Sequence, residues 1–419
     1  ARLGTLYRNF GEWEKAEEYA KRAYDLRDRV SERERFYITS HYYDSLGNLE
    51  KVIETLRLNA QVYPRDWVAH HNLALNLLIL GQFNEALSAA QEALRLAPDE
   101  SFPHHKVMWA YRCLGRPEEA KAIGMQALDR GLDTIYLRSN LALLAASEGD
   151  EEALREHLDS QIGSVHESNM LALEAGLDAQ EGRMSSARRL IGRAEDAALR
   201  QGLTESAARF PAHLAAAEAE IGEAAQARTT SERALSLARS RDSLPAVALA
   251  LARIGDSEQV AELLDELEAR FPHHTLIQFV WIPAIEAAGA LNESDPEEAI
   301  AVLERARRYE NRQQVTIYLR GLAYLESGQP KEAAVEFERF LGPVMTSRSI
   351  EVERPLAHLG LARAHSLAGN AVEARKAYQT FFETWQEADE DIPILLEARE
   401  EYERLEDSGD VATPSDVVG

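Results

Sequence analysis

The sequence predicts an all-α solenoid of about eleven helix–turn–helix repeats, and three observations support this prediction. Four glycines recur at intervals of 34 residues: Gly47, Gly81, Gly115 and Gly149. Two prolines, Pro64 and Pro98, repeat the same interval, so the spacing is a register and not a chance placement of glycines. No segment of useful length shows the alternation of apolar and polar residues that is typical of strands.

The N-terminal units place small residues where the two helices of a pair cross, and a glycine at the turn between them. A small side chain lets two helices approach closely, and a large one fills the space where the next pair packs. The marker residues of the first five units are Leu3, Gly4, Tyr7, Gly11, Ala16 and Ala20; Tyr43, Gly47, Leu56 and Pro64; Leu73, Ala74, Gly81, Ala86, Ala90 and Pro98; Tyr111, Gly115, Ala120 and Ala127; and Leu141, Ala142, Ala145 and Gly149.

The middle of the chain keeps the pattern in a weaker form. Gly182, Gly222 and Gly255 indicate turns, but the first two are farther apart than one repeat, which predicts longer helices or an inserted loop. A ninth unit is expected at residues 275–309. Pro296 should lie in the first turn of its second helix, because proline is tolerated there.

The last two units are regular again, and we expect a linker at residues 342–354 between them. Their marker residues are Gly321, Tyr324, Gly328, Ala333 and Phe337, then Leu361, Ala362, Gly369, Ala374, Tyr378 and Phe381. A helix at 394–405 should cap the stack, because terminal repeats need a polar outer face. The predicted segments are regular units at 1–176, degenerate units at 177–309, C-terminal units with the cap at 310–405, and a disordered tail at 406–419.

The period and the order of these markers resemble the tetratricopeptide repeat (TPR), whose helix pairs stack into a right-handed superhelix with a concave groove. Residues 32–66 and 378–405 further resemble the C-terminal TPR region of certain bacterial serine/threonine protein kinases and related signalling proteins. The resemblance implies a sensor or scaffold module of a signalling polypeptide. It implies an extracytoplasmic location if the module is anchored as in those kinases, and a cytoplasmic one otherwise. Because Ala1 falls inside an expected helix, we expect a fragment or a processed product.

The composition narrows the classes of partner. The formal net charge of −25 argues against nucleic acid and anionic membrane surfaces, and it favours a basic or neutral partner. No apolar stretch reaches the length of about 20 residues that a membrane-spanning helix needs. The single cysteine, Cys113, excludes a disulfide within the chain.

The sequence carries no catalytic signature. It has no phosphate-binding loop, no nucleophile elbow, no zinc-protease motif and none of the kinase catalytic motifs. We therefore expect no enzymatic activity and no cofactor in this chain, although a parent polypeptide could carry a kinase domain.

The pairs His70–His71 and His104–His105 lie one period apart. Neighbouring helices are about 10 Å apart, so these imidazoles are better suited to a polar groove lining than to a shared metal ion.

The register also predicts which side chains face the groove. The predicted binding residues are Tyr37, His41, Asp44, His71, His105, Trp109, Arg112 and Tyr136, with Tyr318 and Arg363 near the other end. Trp, Tyr and Arg dominate the energy of many interfaces. The alternative for Tyr37 and Trp109 is that each packs against a neighbouring helix.

Together these patterns predict a scaffold that binds a protein or peptide in its groove within a signalling assembly, with no covalent step. The alternative is self-association. A solenoid with an open first repeat can stack end to end through that face, and such a contact builds oligomers or filaments.

Overall fold

A computed structural model describes residues 1–312, 314–342 and 352–410, and the side chains of all of these except 407–410. Every regular element in these ranges is helical, which confirms the predicted all-α class. Helices α1 to α22 form eleven consecutive pairs within the described residues, and α23 follows them. Short turns join the two helices of a pair, so they run antiparallel.

The first helix of each pair is called the A helix and the second the B helix. The A helices are α1 (Arg2–Asn9), α3 (Glu32–Ser45), α5 (Trp67–Leu80), α7 (Ser101–Cys113), α9 (Ile135–Glu148), α11 (Glu167–Gln180), α13 (Thr204–Glu220), α15 (Leu244–Arg253), α17 (Ile282–Asn292), α19 (Val315–Glu326) and α21 (Glu353–Leu367). The B helices are α2 (Trp13–Tyr24), α4 (Leu49–Val62), α6 (Phe83–Leu96), α8 (Pro117–Asp129), α10 (Glu151–Asp159), α12 (Met184–Arg200), α14 (Ala224–Leu237), α16 (Ser257–Arg270), α18 (Pro296–Leu303), α20 (Pro330–Phe340) and α22 (Ala371–Thr384), and α23 is Pro393–Asp410.

The pair α5/α6 shows why the repeat pattern produces this shape. Gly81 ends α5 in the left-handed conformation, with φ of 80°, which a residue without a Cβ adopts at little cost. Ala74, Ala86 and Ala90 are fully buried where the two helices meet. Small side chains at the crossing hold the axes close together, and the leucines beside them fill the core.

The degenerate middle differs from the regular units in helix length. Helices α12 and α13 have 17 residues each, whereas α5 and α6 have 14. The longer helices account for the wide spacing between Gly182 and Gly222, as one of the two sequence alternatives predicted. Pro296 occupies the first turn of α18, also as predicted.

Two sequence predictions fall largely on residues without a structural description. The expected linker at 342–354 includes residues 343–351, and the expected tail at 406–419 includes residues 411–419, all of which lie outside the described ranges. The capping helix α23 begins at Pro393 and continues to Asp410, past the predicted end at 405. The division into three repeat segments stays a prediction. Within the described residues, no helix combines the length and apolarity needed to cross a bilayer.

The stack curls so far that later pairs lie against earlier ones. The Oγ of Ser206 donates to the carbonyl of Phe10, 196 residues away, at 2.6 Å. The backbone N–H of Thr275 donates to the carbonyl of Gly47 at 3.0 Å, and that of Asp389 to Gly182 at 3.1 Å. These contacts define the seam, a line along which one turn of the superhelix touches the next.

Side chains of the following turn cap helices of the earlier one along the seam. The Asp389 carboxylate accepts from the N–H of Ser185 at 2.6 Å at the start of α12, which has no capping side chain of its own. The Thr275 hydroxyl accepts from the N–H of Leu49 at 3.1 Å at the start of α4. The first N–H groups of a helix have no partner inside it, so these bonds satisfy them from outside.

At the first seam contact, two helix N-termini cap each other. The Glu12 carboxylate accepts from the N–H of Glu205 at 3.1 Å, in the first turn of α13. In return, the Glu205 carboxylate accepts from the N–H of Glu14 at 3.0 Å, in the first turn of α2. Burial raises the pKa of Glu205 to about 7, although the backbone N–H donors of Glu14 and Trp13 oppose that rise.

Replacing Gly47 with alanine tests whether the seam contributes to stability. Gly47 and Gly149 both have φ of 69°, but a Cβ on Gly47 would overlap the ring of His274, whereas a Cβ on Gly149 meets nothing within 4 Å. Both substitutions cost about 1 kcal/mol for the left-handed backbone. We expect Gly47→Ala to lower the free energy of unfolding in urea by more than Gly149→Ala does. Equal losses would contradict a stabilising seam.

The Glu205→Gln variant should show a stability difference that depends on pH. The folded pKa lies above the ordinary value of 4.5, so the folded state binds the proton more tightly. The stabilising contribution of Glu205 is therefore complete below pH 4.5 and is lost as the pH rises through 7. Glutamine keeps the acceptor without the charge, and we expect the variant to be more stable than the wild type by up to about 3 kcal/mol at pH 8.5 and by less than about 1 kcal/mol at pH 5.

Thermal denaturation at both pH values measures this difference. Glu258→Gln removes an exposed carboxylate on α16 and serves as the control. A stabilisation of Glu205→Gln that is the same at pH 5 and pH 8.5 would contradict the assigned titration.

Candidate functional site

Seven A helices, from α1 to α13, surround a cavity of about 590 Å³, which is called the axial cavity. Its wall receives side chains from every one of these helices. Contact between α13 and the start of α2 joins the last of these helices to the first pair, so the helices form a ring around the cavity. Arg312, from the next turn, adds to the lining.

The structure brings the predicted binding residues together. Seven of them line the axial cavity: Tyr37, His41, His71, His105, Trp109, Arg112 and Tyr136. Asp44 lies in a small adjoining space that His41 also lines. Their role in binding stays a prediction.

The two groove residues predicted near the other end do not belong to this site. Tyr318 is buried in the core beside Phe337 and Phe340. Arg363 forms an ion pair with Glu401 of α23 at 3.0 Å. Arg363 is thus engaged by the C-terminal helix and Tyr318 by the core, which the register alone could not show.

A continuous row of rings crosses three neighbouring A helices. From α5 it runs through Trp67 and His71, with centroids 6.0 Å apart, to Phe102 at 5.9 Å. Tyr136 on α9 lies 6.1 Å from Phe102 and 5.0 Å from His105, with which it stacks. His105 in turn stacks on Trp109 at 5.8 Å. Offset and edge-to-face contacts of this kind hold aromatic rings in fixed orientations.

Three imidazoles of the cavity, those of His41, His71 and His213, are held in the neutral form. Burial lowers the pKa of His41 to about 4, and Arg8 adds to the decrease. Burial also lowers the pKa of His213 to about 4, with a further contribution from Arg209. His71 is shifted in the same direction by burial and then by Lys106 and Arg8. At neutral pH these three rings therefore carry no charge.

Five cationic side chains line the axial cavity: Arg8, Lys106, Arg112, Arg209 and Arg312. Arg8 forms an ion pair with Asp44. Arg112 donates to the amide oxygen of Asn140 at 2.5 Å, and Arg209 donates to that of Asn169 at 3.1 Å. Lys106 and Arg312 both lie over the Trp109 ring, at 5.2 Å and 6.0 Å from its centroid.

Several lining residues escaped the sequence analysis. Lys106 follows the predicted residue His105, and Trp67 lies one helical turn before His71. Neither is a marker residue of the repeat. Arg209 and His213 lie on α13, where the glycine register is lost, and Arg312 comes from the following turn. One signal in the sequence could have identified two of them: Arg209 and His213 lie one helical turn apart on α13, a helix otherwise rich in alanine.

Carboxylates are absent from the lining of the axial cavity within the described residues. The nearest to His41 is Asp44, in the adjoining space. No group of three or more His, Cys, Asp or Glu side chains in the described part of the chain is arranged to hold a metal ion.

The tetratricopeptide repeat family matches residues 67–100, which correspond to the pair α5/α6. The match falls on the unit where the sequence pattern is complete. No catalytic family matches this chain, and no curated protein matches it either.

Solved structures with a similar course include tetratricopeptide repeat proteins. The TPR domain of P58(IPK) shares 16% identity over 90% of this chain and 99% of that one, with a TM-score of 0.27. Yeast Tom70 shares 13% identity over 98% and 96% of the two chains, with a TM-score of 0.40. A TPR protein from Parabacteroides merdae shares 13% identity over 79% and 98%, with a TM-score of 0.31. At these scores, the likeness transfers no site and no partner.

Proposed function

We propose that this chain is a non-catalytic scaffold whose axial cavity holds a short segment of a partner protein. A TPR-type fold supports protein interaction in general. The continuous row of rings on α5, α7 and α9 is the observation that carries the proposal for this cavity, because it places aromatic and imidazole side chains along one wall.

The size and lining of the cavity support a short segment. A volume of about 590 Å³ lies within the range of small-ligand sites and is too small for a folded domain. Trp109 and Tyr136 remain half-buried, so each ring keeps surface for a ligand. Rigid aromatic rings of this kind lose little conformational entropy on binding.

A signalling context is the finer part of the proposal. Its support is the sequence resemblance of residues 32–66 and 378–405 to the repeat regions of bacterial serine/threonine kinases. The gene sequence upstream of Ala1 tests it directly. A kinase or other signalling domain in the same reading frame is the expected result, and a different domain there would remove this context.

The double variant Trp109→Ala/Arg112→Ala should lose peptide capture while keeping its helicity. Trp109 supplies ring surface, and Arg112 is fixed toward Asn140 in the same wall. The probe is a displayed library of random dodecapeptides selected on immobilised wild-type protein. We expect the enriched peptides to bind the wild type and to bind the double variant at least tenfold more weakly.

The matched control removes an arginine and an apolar side chain from the outer surface. Arg57 and Leu58 are both exposed on the B helix α4, so Arg57→Ala/Leu58→Ala should bind the enriched peptides like the wild type. Circular dichroism verifies that both variants are folded. Unchanged peptide binding by Trp109→Ala/Arg112→Ala would remove the axial cavity as the binding site.

Self-association is the second candidate function, and one observation favours it. Leu3 and Leu6 of α1 are 52% and 49% exposed. They lie three residues apart on one side of the helix, where another A or B helix would pack in the interior of the stack.

End-to-end association predicts a mass that depends on concentration. Light scattering across a concentration series should then give a weight-average mass that rises above the 46.8 kDa of one chain. The variant Leu3→Asp/Leu6→Asp should stay at one chain. A wild-type mass that remains at one chain throughout the series would refute this candidate.

A further inference from the structure

We propose that the segment held in the axial cavity is acidic and presents side-chain carboxylates to the cationic lining. This inference rests on the proposed function and specifies the chemistry of the partner. It reverses, for this one site, the expectation of a basic or neutral partner that the net charge favoured.

The distribution of charge is the first argument. The chain carries 71 Asp and Glu against 46 Lys and Arg, yet the lining of the axial cavity has five cationic side chains and no carboxylate. A random sample of this surface would be acidic. Charges of one sign inside a cavity with low-dielectric walls concentrate the field there.

The contacts of the cationic side chains are the second argument. The guanidinium of Arg209 donates to Asn169, whose amide oxygen is neutral. The guanidinium of Arg112 likewise donates to the amide oxygen of Asn140. Amide partners fix the direction of a guanidinium and leave its charge in place, whereas a carboxylate partner would cancel that charge. Arg8 differs from Arg209, because it forms an ion pair with the carboxylate of Asp44 in the adjoining space.

The imidazoles lie close enough to these cationic side chains to be affected by them. Burial is the main cause of the lowered pKa of His71 and His213. Lys106 and Arg8 lower the pKa of His71 further, and Arg209 lowers that of His213, which Asp242 opposes. Cationic side chains that disfavour a proton on these rings would favour an anion beside them.

The shape of the site limits how an acidic segment would bind. The surface outside the cavity is acidic. Carboxylates of the partner are therefore attracted only where they reach the cationic side chains inside the cavity. Carboxylates of the partner that remain on the outer surface are repelled. We therefore expect a few carboxylates in a short segment, with binding that weakens as salt screens the pairs.

Three matched pools of peptides test the proposal. The probes are acetylated and amidated octapeptides that share random positions and differ at four fixed positions, which hold Glu, Gln or Lys. The blocked ends restrict the comparison to side chains. We expect the Glu pool to bind at least tenfold more tightly than the Gln pool in fluorescence polarisation at low salt, and the Lys pool to show no binding.

Arg209→Gln identifies the site of this preference. It should weaken binding of the Glu pool at least fivefold and leave that of the Gln pool unchanged. Arg57→Gln removes the same charge from the outer surface of α4, beside Glu85, and should change neither pool. Melting temperatures of both variants show whether they are folded. If Arg209→Gln is unfolded, Arg312→Gln replaces it, because Arg312 lies on the next turn and lines the same cavity.

The outcomes separate the two proposals. Equal binding of the Glu and Gln pools, with loss in Trp109→Ala/Arg112→Ala, would overturn the acidic partner and leave the scaffold function in place. No binding of any pool would overturn both. Inorganic phosphate or succinate that binds the wild type while all peptides fail would overturn the peptide segment in favour of a free anion. A Glu preference that Arg209→Gln and Arg312→Gln both leave unchanged would overturn the assignment to this cavity.

Discussion

The meeting of two helix N-termini at Glu12 and Glu205 is the constraint on which the rest of the structure depends. The first N–H groups of α2 and of α13 have no partners inside their own helices, and these two helix ends meet at the seam. Each helix contributes one carboxylate to the other. This exchange lets the seventh A helix return to the first pair, and the concave surface becomes a cavity instead of an open groove.

The sequence predicted what depends on neighbouring residues and missed what depends on the seam. Glycines such as Gly81 and alanines such as Ala74 act within one pair, so their spacing alone predicts the fold and the direction of each helix. His71 and Trp109, which the same register predicts on the concave side, line the axial cavity. The contact of Gly47 with Thr275 joins residues that share no local pattern, and α13 lost the register. For these reasons Arg209 and Arg312 were not found.

Charge is segregated between the outside and the inside of the superhelix. On the outer helices, cationic side chains meet carboxylates at short range, as Arg57 of α4 meets Glu85 of α6. Inside the axial cavity, Arg209 meets the amide oxygen of Asn169 instead. The acidic surface opposes nonspecific association with other acidic molecules, while the interior keeps an attraction of the opposite sign. An acidic molecule would then bind only if part of it can enter the cavity, because the acidic outer surface repels it everywhere else.

The seam also limits how this chain could change in length. An open solenoid tolerates the gain or loss of a unit, since each repeat contacts only its neighbours. Here the carbonyl of Gly47 requires the N–H of Thr275, and that of Gly182 requires Asp389. If one helix pair between Gly47 and Thr275, or between Gly182 and Asp389, were removed, a different residue would lie opposite the glycine. The number of repeats per turn is therefore a fixed dimension of this protein, as it is in a closed barrel, and not a variable one.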